Sequence, residues 1–220
     1  MLQPVDFDVT DTKLYHFCDA GESGYGTVSC IRFTSRSRPP HSTLVMGKAR
    51  VAPLKVVTIP RMELTAAVFA ARIDNMLRKE QGLQISDSFF WTDSTSVLKY
   101  ILNDTQRFKT FVANRVTVIR DLTQKSQWRH IKTDLNPADN ASRGMRADAF
   151  LKGRCWLDGR DFLAKCEAEL STEPLVLSDS DSEVKKLLWP SPQQPKMTLL
   201  LALSGPSHHG STSSDLRHGF

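Results

Sequence analysis

Several signals that would assign a chemistry outright are missing from this 220-residue chain. Its 4 cysteines, Cys18, Cys30, Cys155 and Cys166, form no CxxC pair and show no zinc-ligand spacing. Cys18 and Cys30 fall in apolar, strand-like runs, where a free thiol behaves as a small apolar residue, and a reducing compartment suits them. The first residues, Met1-Leu2-Gln3-Pro4-Val5-Asp6, lack the basic-then-apolar order of a signal peptide. The late apolar run Met197 to Leu203 is far too short to span a bilayer. No phosphate-cradling GxxxxGK loop and no GxSxG nucleophile elbow occurs. Thr92-Asp93-Ser94-Thr95 has no glycine for the tight turn of an aspartic-protease loop. No internal repeat is visible. These absences leave an intracellular protein, cytoplasmic or nuclear, with no membrane partner.

What is present is one core's worth of apolar residues and an uneven charge. At 40% hydrophobic the chain can bury one sizeable core and carry a tail besides. Residues 1–147 hold 21 Lys+Arg against 14 Asp+Glu, +7, whereas 148–220 hold 8 against 10, −2. The basic part favours a polyanionic partner and the tail does not. Strand and helix signals alternate over the first 150 residues. Strands are expected at Leu14–Asp19, Thr27–Phe33, Leu44–Ala49, Phe89–Thr92 and Gln127–Ile131. A helix opens at Pro60, carries Met62, Ala66, Phe69, Ile73, Met76 and Leu77 at three- and four-residue spacing, and stops at Gly82. Further helices are expected at Ser94–Leu102, 107–123 and Asn136–Arg146. That order gives an α/β fold, a mixed sheet with flanking helices. The domain organisation follows: an extension over 1–11, the α/β domain over 12–150, a short appendage over 151–175, and a disordered tail over 176–220 that includes the acidic run Ser178-Asp179-Ser180-Asp181-Ser182-Glu183.

Four carboxylates carry the chemistry. Asp19 ends the first strand, Glu63 lies in the first turn of the long helix, Asp93 closes the fourth strand, and Asp139 sits in Asn136-Pro137-Ala138-Asp139. Side chains alternate along a strand, so Asp19 shares a face with Tyr15 and Phe17, and Asp93 with Phe89 and Trp91. If those strands are neighbours, their terminal carboxylates lie side by side and the two helical acids can cap the same spot. Buried carboxylates repel and are costly to desolvate, so divalent cations are the natural counter-charge, and oxygen donors suit magnesium. Singly, each acid is as well explained as a strand end or a helix cap. Their order, Asp, Glu, Asp, Asp, in this succession of elements points to a metal-dependent nuclease.

Phe17-Cys18-Asp19-Ala20 with Tyr25-Gly26, Pro60-Arg61-Met62-Glu63-Leu64, Phe90-Trp91-Thr92-Asp93-Ser94-Thr95-Ser96-Val97-Leu98, Arg107-Phe108-Lys109-Thr110-Phe111-Val112-Ala113-Asn114-Arg115 and Asn136-Pro137-Ala138-Asp139 resemble the ribonuclease H domain of BEL/Pao-type retrotransposon polyproteins. The resemblance covers roughly 12–165. It implies a ribonuclease H-like fold with a five-stranded mixed sheet, and cleavage of the RNA strand of RNA–DNA hybrids by two Mg2+ ions, for which Mn2+ may substitute in such enzymes. It assigns Asp19, Glu63, Asp93 and Asp139 as catalytic metal ligands, and a reverse transcriptase domain as a neighbour in the parent polyprotein. The loop Lys132-Thr133-Asp134-Leu135 departs from the pattern: it lacks the glycine often found between the fifth strand and the last helix, and the histidine that assists product release in many relatives, and His130 precedes it.

A hybrid is gripped through phosphates and 2′-hydroxyls, which calls for basic and polar side chains. Arg107, Lys109, Asn114 and Arg115 near the middle helices are candidates, with Ser94 and Asn136 beside the carboxylates. Lys48, Arg50 and Lys55, on the approach to the long helix, are others. The alternative function is a catalytically inactive domain that binds nucleic acid or braces a polyprotein. A transposase or integrase nuclease fits less well, because such enzymes place the glutamate last, and here Glu63 comes second.

Overall fold

The alternation of apolar residues that marks the strands also decides the layering. A computed structural model describes residues 7–80, 82, 84–146, 148, 163 and 181–185. Its strands are β1 (Asp11–Ala20), β2 (Gly24–Thr34), β3 (His41–Val51), β4 (Asp87–Thr92) and β5 (Trp128–His130). Its helices are α1 (Ile59–Glu80), α2 (Thr95–Leu102), α3 (Thr110–Leu122) and α4 (Ala138–Arg143). The five strands form one mixed sheet in the order β3-β2-β1-β4-β5. The first three make an antiparallel meander, and β4 and β5 run parallel to β1. The five-stranded mixed sheet with flanking helices is the architecture the sequence implies.

Even-numbered β1 residues face the long helices and odd-numbered ones face α4. Cys18 and Phe90 are buried with Leu64 and Ala67 of α1, Val97 and Ile101 of α2, and Val112 and Ile119 of α3. On the other face Tyr15, Phe17 and Trp91 are buried with Ala138 of α4 and with Leu163. The helix α1 is more enclosed than one stripe suggests, because the sheet covers one side and α3 the other. Leu64, Ala67 and Ala71, outside the expected stripe, are fully buried, whereas Phe69 and Met76 are only half-buried. In the parallel pair, Phe17 sits beside Trp91 and Cys18 beside Thr92. The chain positions that follow them, Asp19 and Asp93, therefore emerge from the same end of the sheet.

Gly26 sets how closely α4 approaches that end. A Cβ placed on Gly26 would stand 2.7 Å from the Ala141 Cβ, so only glycine lets the helix settle on β2. Asn136 fastens the other side: its Nδ2 donates to the Cys18 carbonyl oxygen (3.2 Å) and its Oδ1 accepts from the Ala138 amide (3.1 Å).

Two domain limits need correction. The sheet takes in part of the expected N-terminal extension: Thr10 N–H donates to the Thr34 carbonyl (2.8 Å), and Phe7 is buried with Leu14 and Ile31. In the expected tail, residues 181–185 are packed, with Glu183 only 8% exposed and Val184 bridged to Phe108. The remainder of 176–220, and of 151–175 apart from Leu163, lies outside the described residues. Among the described residues no helix is long and apolar enough to cross a membrane.

Candidate nuclease active site

All four carboxylates singled out in the sequence line one open cleft of about 580 Å³, together with Ala20, Gly21, Glu22, Ser23, Ile59, Thr133 and Arg143. Asp19 comes from β1, Glu63 from the start of α1, Asp93 from the end of β4 and Asp139 from α4. Each is aimed by a different partner. The Ser142 hydroxyl donates to Asp19 Oδ2. The Ser94 hydroxyl donates to Glu63 Oε2 at 2.6 Å, while its oxygen accepts from the Val97 amide at 3.3 Å and so caps α2. Asn136 Nδ2 lies 3.4 Å from Asp93 Oδ1, and His130 Nε2 donates to the Asp93 carbonyl oxygen at 3.2 Å. Arg143 Nε stands 2.8 Å from Asp139 Oδ1 as an ion pair, yet that oxygen is buried and its geometry makes no hydrogen bond.

The acids feel one another. Burial first, and then the charge on Asp93, lifts the Asp19 carboxyl above the ordinary range, against the pull of the Ser142 bond. Burial likewise raises Glu63, with Asp93 and Asp19 adding to it and the Ser94 bond opposing. The Cys18 thiol beneath them is pushed up too, by burial and then by Asp93, Asp19 and Glu63. Excess negative charge is thus concentrated at one sheet end, where a cation would relieve it. The donors are all carboxylate oxygens, which suits a hard divalent ion, and Asp139 Oδ1 is a buried acceptor without a hydrogen bond. The fit is of donor type and place. Among the described residues no three His, Cys, Asp or Glu side chains already stand as a group able to hold one ion. Binding would require the carboxylates to turn from Ser94, Ser142 and Arg143 toward the cleft centre.

The six expected substrate contacts divide between two places. Ser94 and Asn136 are buried beside the carboxylates as their hydrogen-bond partners. Arg107, Lys109, Asn114 and Arg115 do not line the cleft. Arg107, Lys109 and Asn114 are exposed, and Arg115 lies flat on Phe111, 3.4 Å from the ring centre, with its Nε donating to Thr65 Oγ1 at 3.1 Å. Lys48 and Arg50 stand over the Phe69 ring, and Lys55 is exposed. Sequence reasoning missed Ser142 and Arg143, which follow Asp139 at i+3 and i+4 on the same helix; that spacing is the signal that was available. It also passed over Thr133, from the loop after β5.

Residues 3–94 match a family model described as Pao retrotransposon-like RNaseH-like domain. The matched span contains Asp19, Glu63 and Asp93, and Asp139 lies beyond it. No curated protein matches the chain. Among solved structures it is similar to the N-terminal RNase H domain of a Mycobacterium tuberculosis protein fused to maltose-binding protein, at 11% identity, 60% coverage of this chain, 95% of that one, and a TM-score of 0.40. It is also similar to LC11-RNase H1 in complex with RNA/DNA hybrid, at 11% identity, 60% and 93% coverage and a TM-score of 0.39. RNase H1 from the halophilic archaeon Halobacterium salinarum gives 13% identity, 60% and 96% coverage and a TM-score of 0.37. Identities and scores this low transfer no residue role.

Proposed function

We propose that this chain, whose residues 3–94 match the Pao retrotransposon-like RNaseH-like domain, is a divalent-metal-dependent endoribonuclease that hydrolyses the RNA strand of RNA–DNA hybrids. The observation that carries the reading is the meeting of Asp19, Glu63, Asp93 and Asp139, from four separate elements, at one cleft. These four would hold two Mg2+ ions, with Mn2+ as a substitute. When bound, such ions supply an activated water and a counter-charge for the leaving oxygen of an in-line displacement.

The protein's own groups do the positioning. Ser94 fixes Glu63 while it caps α2, so the helix start and the carboxylate are set together. Asn136 and His130 hold the Asp93 turn against the ends of β1 and β5. Arg143 at the cleft wall offers a positive charge to a phosphate once Asp139 is otherwise engaged. Arg107, Lys109, Asn114 and Arg115 would meet the hybrid's backbone away from the reacting bond, through phosphates and 2′-hydroxyls rather than base edges. A reverse transcriptase domain in a parent polyprotein is the partner this origin suggests.

The test is incubation of the full chain with an end-labelled RNA–DNA hybrid, with and without Mg2+. Cleavage of the RNA strand should need the metal, and Asp93→Asn should lower the rate by about a thousandfold or more, the loss typical of removing a charged group from a reacting centre. Its circular dichroism and melting should stay near those of the parent. Retained cleavage in Asp93→Asn rejects the assignment. A second reading, an inactive domain that binds nucleic acid, draws on the absence of a ready three-ligand group among the described residues. Hybrid binding without cleavage in either Mg2+ or Mn2+ would select it.

A further inference from the structure

The acidic run Ser178–Glu183 ends in a segment that lies against Arg61 and the main chain of Arg107 and Lys109. Glu183 forms a two-pronged ion pair with Arg61, with Oε1 2.8 Å from Nε and Oε2 3.0 Å from Nη2. The Tyr100 hydroxyl donates to both carboxylate oxygens of Asp181, at 3.1 and 3.0 Å. Main-chain bonds add a short antiparallel bridge: Lys109 N–H to the Glu183 carbonyl (2.8 Å) and Lys185 N–H to the Arg107 carbonyl (2.7 Å). Val184 packs against the core beside Phe108. Beneath lies a cationic surface: Arg61 stands 4.9 Å over the Phe111 ring that Arg115 also covers, and Arg107 and Lys109 are exposed alongside.

Planar guanidinium forks recognise carboxylate and phosphate alike. The carboxylates of Asp181 and Glu183 thus sit where a polyanion's phosphates would find Arg61 and its neighbours. Besides those side-chain pairs, only two main-chain bonds and one half-buried valine hold this five-residue segment, far fewer main-chain bonds than a central strand makes. We infer that residues 181–185 are an acidic strap that masks Arg61 on this face and is displaced by a nucleic-acid backbone, so that strap and polyanion compete for Arg61, with Arg107 and Lys109 exposed beside it. This rests on the reading of that face as the hybrid's contact surface. Arg61, which the strap holds, stands two residues before the cleft's Glu63 in α1.

The strap variant Asp181→Asn/Glu183→Gln removes the two charges and preserves shape. A control, Glu80→Gln/Asp121→Asn, changes net charge equally at exposed positions away from the strap. Binding of a labelled RNA–DNA hybrid to each full chain is followed by anisotropy in EDTA across a salt series. The strap variant should bind about five- to tenfold tighter at low salt and steepen the slope of log Kd against log salt by about one, the effect of one newly available phosphate contact. The control should stay within about twofold, small beside the change each added phosphate contact brings. In the unmodified protein, saturating hybrid should speed hydrogen exchange at the Lys109 and Lys185 amides, a readout that needs no variant. Unchanged or weaker binding by the strap variant, equal tightening in the control, undiminished amide protection, or no hybrid binding by any chain overturns the strap. Tighter binding with no cleavage in Mg2+ keeps the strap and removes the nuclease reading; cleavage without tightening does the reverse.

Discussion

At Glu63 the carboxylate is held by a neutral donor, Ser94, while burial and the charges of Asp93 and Asp19 act against its ionisation. Such a group stabilises the fold only where it is protonated. Its contribution is fully present below the unfolded carboxylate pKa and is lost as pH rises through the higher folded value. Asp19 behaves in the same way. In metal-free buffer at pH 7, Glu63→Gln should therefore melt higher than the parent by roughly 2–4 °C, the shift about 1 kcal/mol gives a domain of this size. The gap should close near pH 4. A differential scanning series in pH checks both statements, and a lower melting point for the variant at pH 7 would show that the acids are not crowded. The residue types of this cluster were legible in the sequence because each acid lies at or near the end of an element. The pairing of Ser142 with Asp19 was not, since it forms only once α4 is laid across β1 and β2.

At the scale of elements, the placement of α4 decides whether Asp139 joins the other three acids. Gly26 permits the approach and Asn136 ties the helix start to the Cys18 carbonyl. Gly26→Ala should cost about 1–3 kcal/mol, as overpacking does, and should lower metal-dependent cleavage. Pairing it with Ala141→Gly, which removes the opposing methyl but leaves the Ala141 carbonyl carbon 3.0 Å away, should recover part of the stability in urea unfolding; no recovery would place the defect elsewhere. Among the described residues, β1 to β5 and α1 to α4 were legible from periodicity and caps, within a few residues at each end, and the 3₁₀ turns Lys125–Gln127 and Thr133–Leu135 were not. β3 proved longer than Leu44–Ala49 because it follows β2 along its whole edge, and polar edge residues carry no apolar signal. β5 proved shorter than Gln127–Ile131, since Lys125–Gln127 tightens into a 3₁₀ turn before it. The packing of 181–185 was hidden for the opposite reason: its acidic composition is that of a solvated tail, and its partners, Arg61, Tyr100 and the Arg107–Lys109 main chain, lie in other parts of the chain.

At the scale of the molecule, β1 and α1 carry two charged centres of different character, one midway along the sheet and one at its end. Midway along β1, His16 is fully buried, stacked on Phe90, with Nε2 3.0 Å from Asp74 Oδ1 and Nδ1 2.8 Å from Ser29 Oγ. Arg78 completes the network, with Nε 3.1 Å from Asp74 Oδ2 and Nη2 donating to Ser88 Oγ at 2.7 Å. The serine, histidine and aspartate repeat a nucleophile's arrangement, but burial closes it to any substrate, and it fastens α1 to β1, β2 and β4. Burial alone would raise the Asp74 carboxyl; the bonds and charges of His16, Ser88 and Arg78 outweigh that and hold it below its ordinary value. Its stabilisation is present above the unfolded carboxylate pKa and lost as pH falls through the lower folded value. The chain should thus lose stability below about pH 4, and Asp74→Asn should weaken it at neutral pH by about 3–5 kcal/mol while flattening that acid loss. Denaturant unfolding from pH 3 to 7 checks this; an unaltered acid limb would contradict it. The cleft, by contrast, sets Asp19, Glu63, Asp93 and Asp139 against Arg143 alone among its lining cations, and in the proposed nuclease metal ions fill that deficit. The most direct measurement of that claim is a Mn2+ titration of the full chain followed by electron paramagnetic resonance, beside Asp19→Asn and Asp93→Asn. About two ions should bind the parent, as a four-carboxylate two-metal site takes, and each variant should lose at least one. No bound Mn2+, or equal binding by all three proteins, would contradict the account.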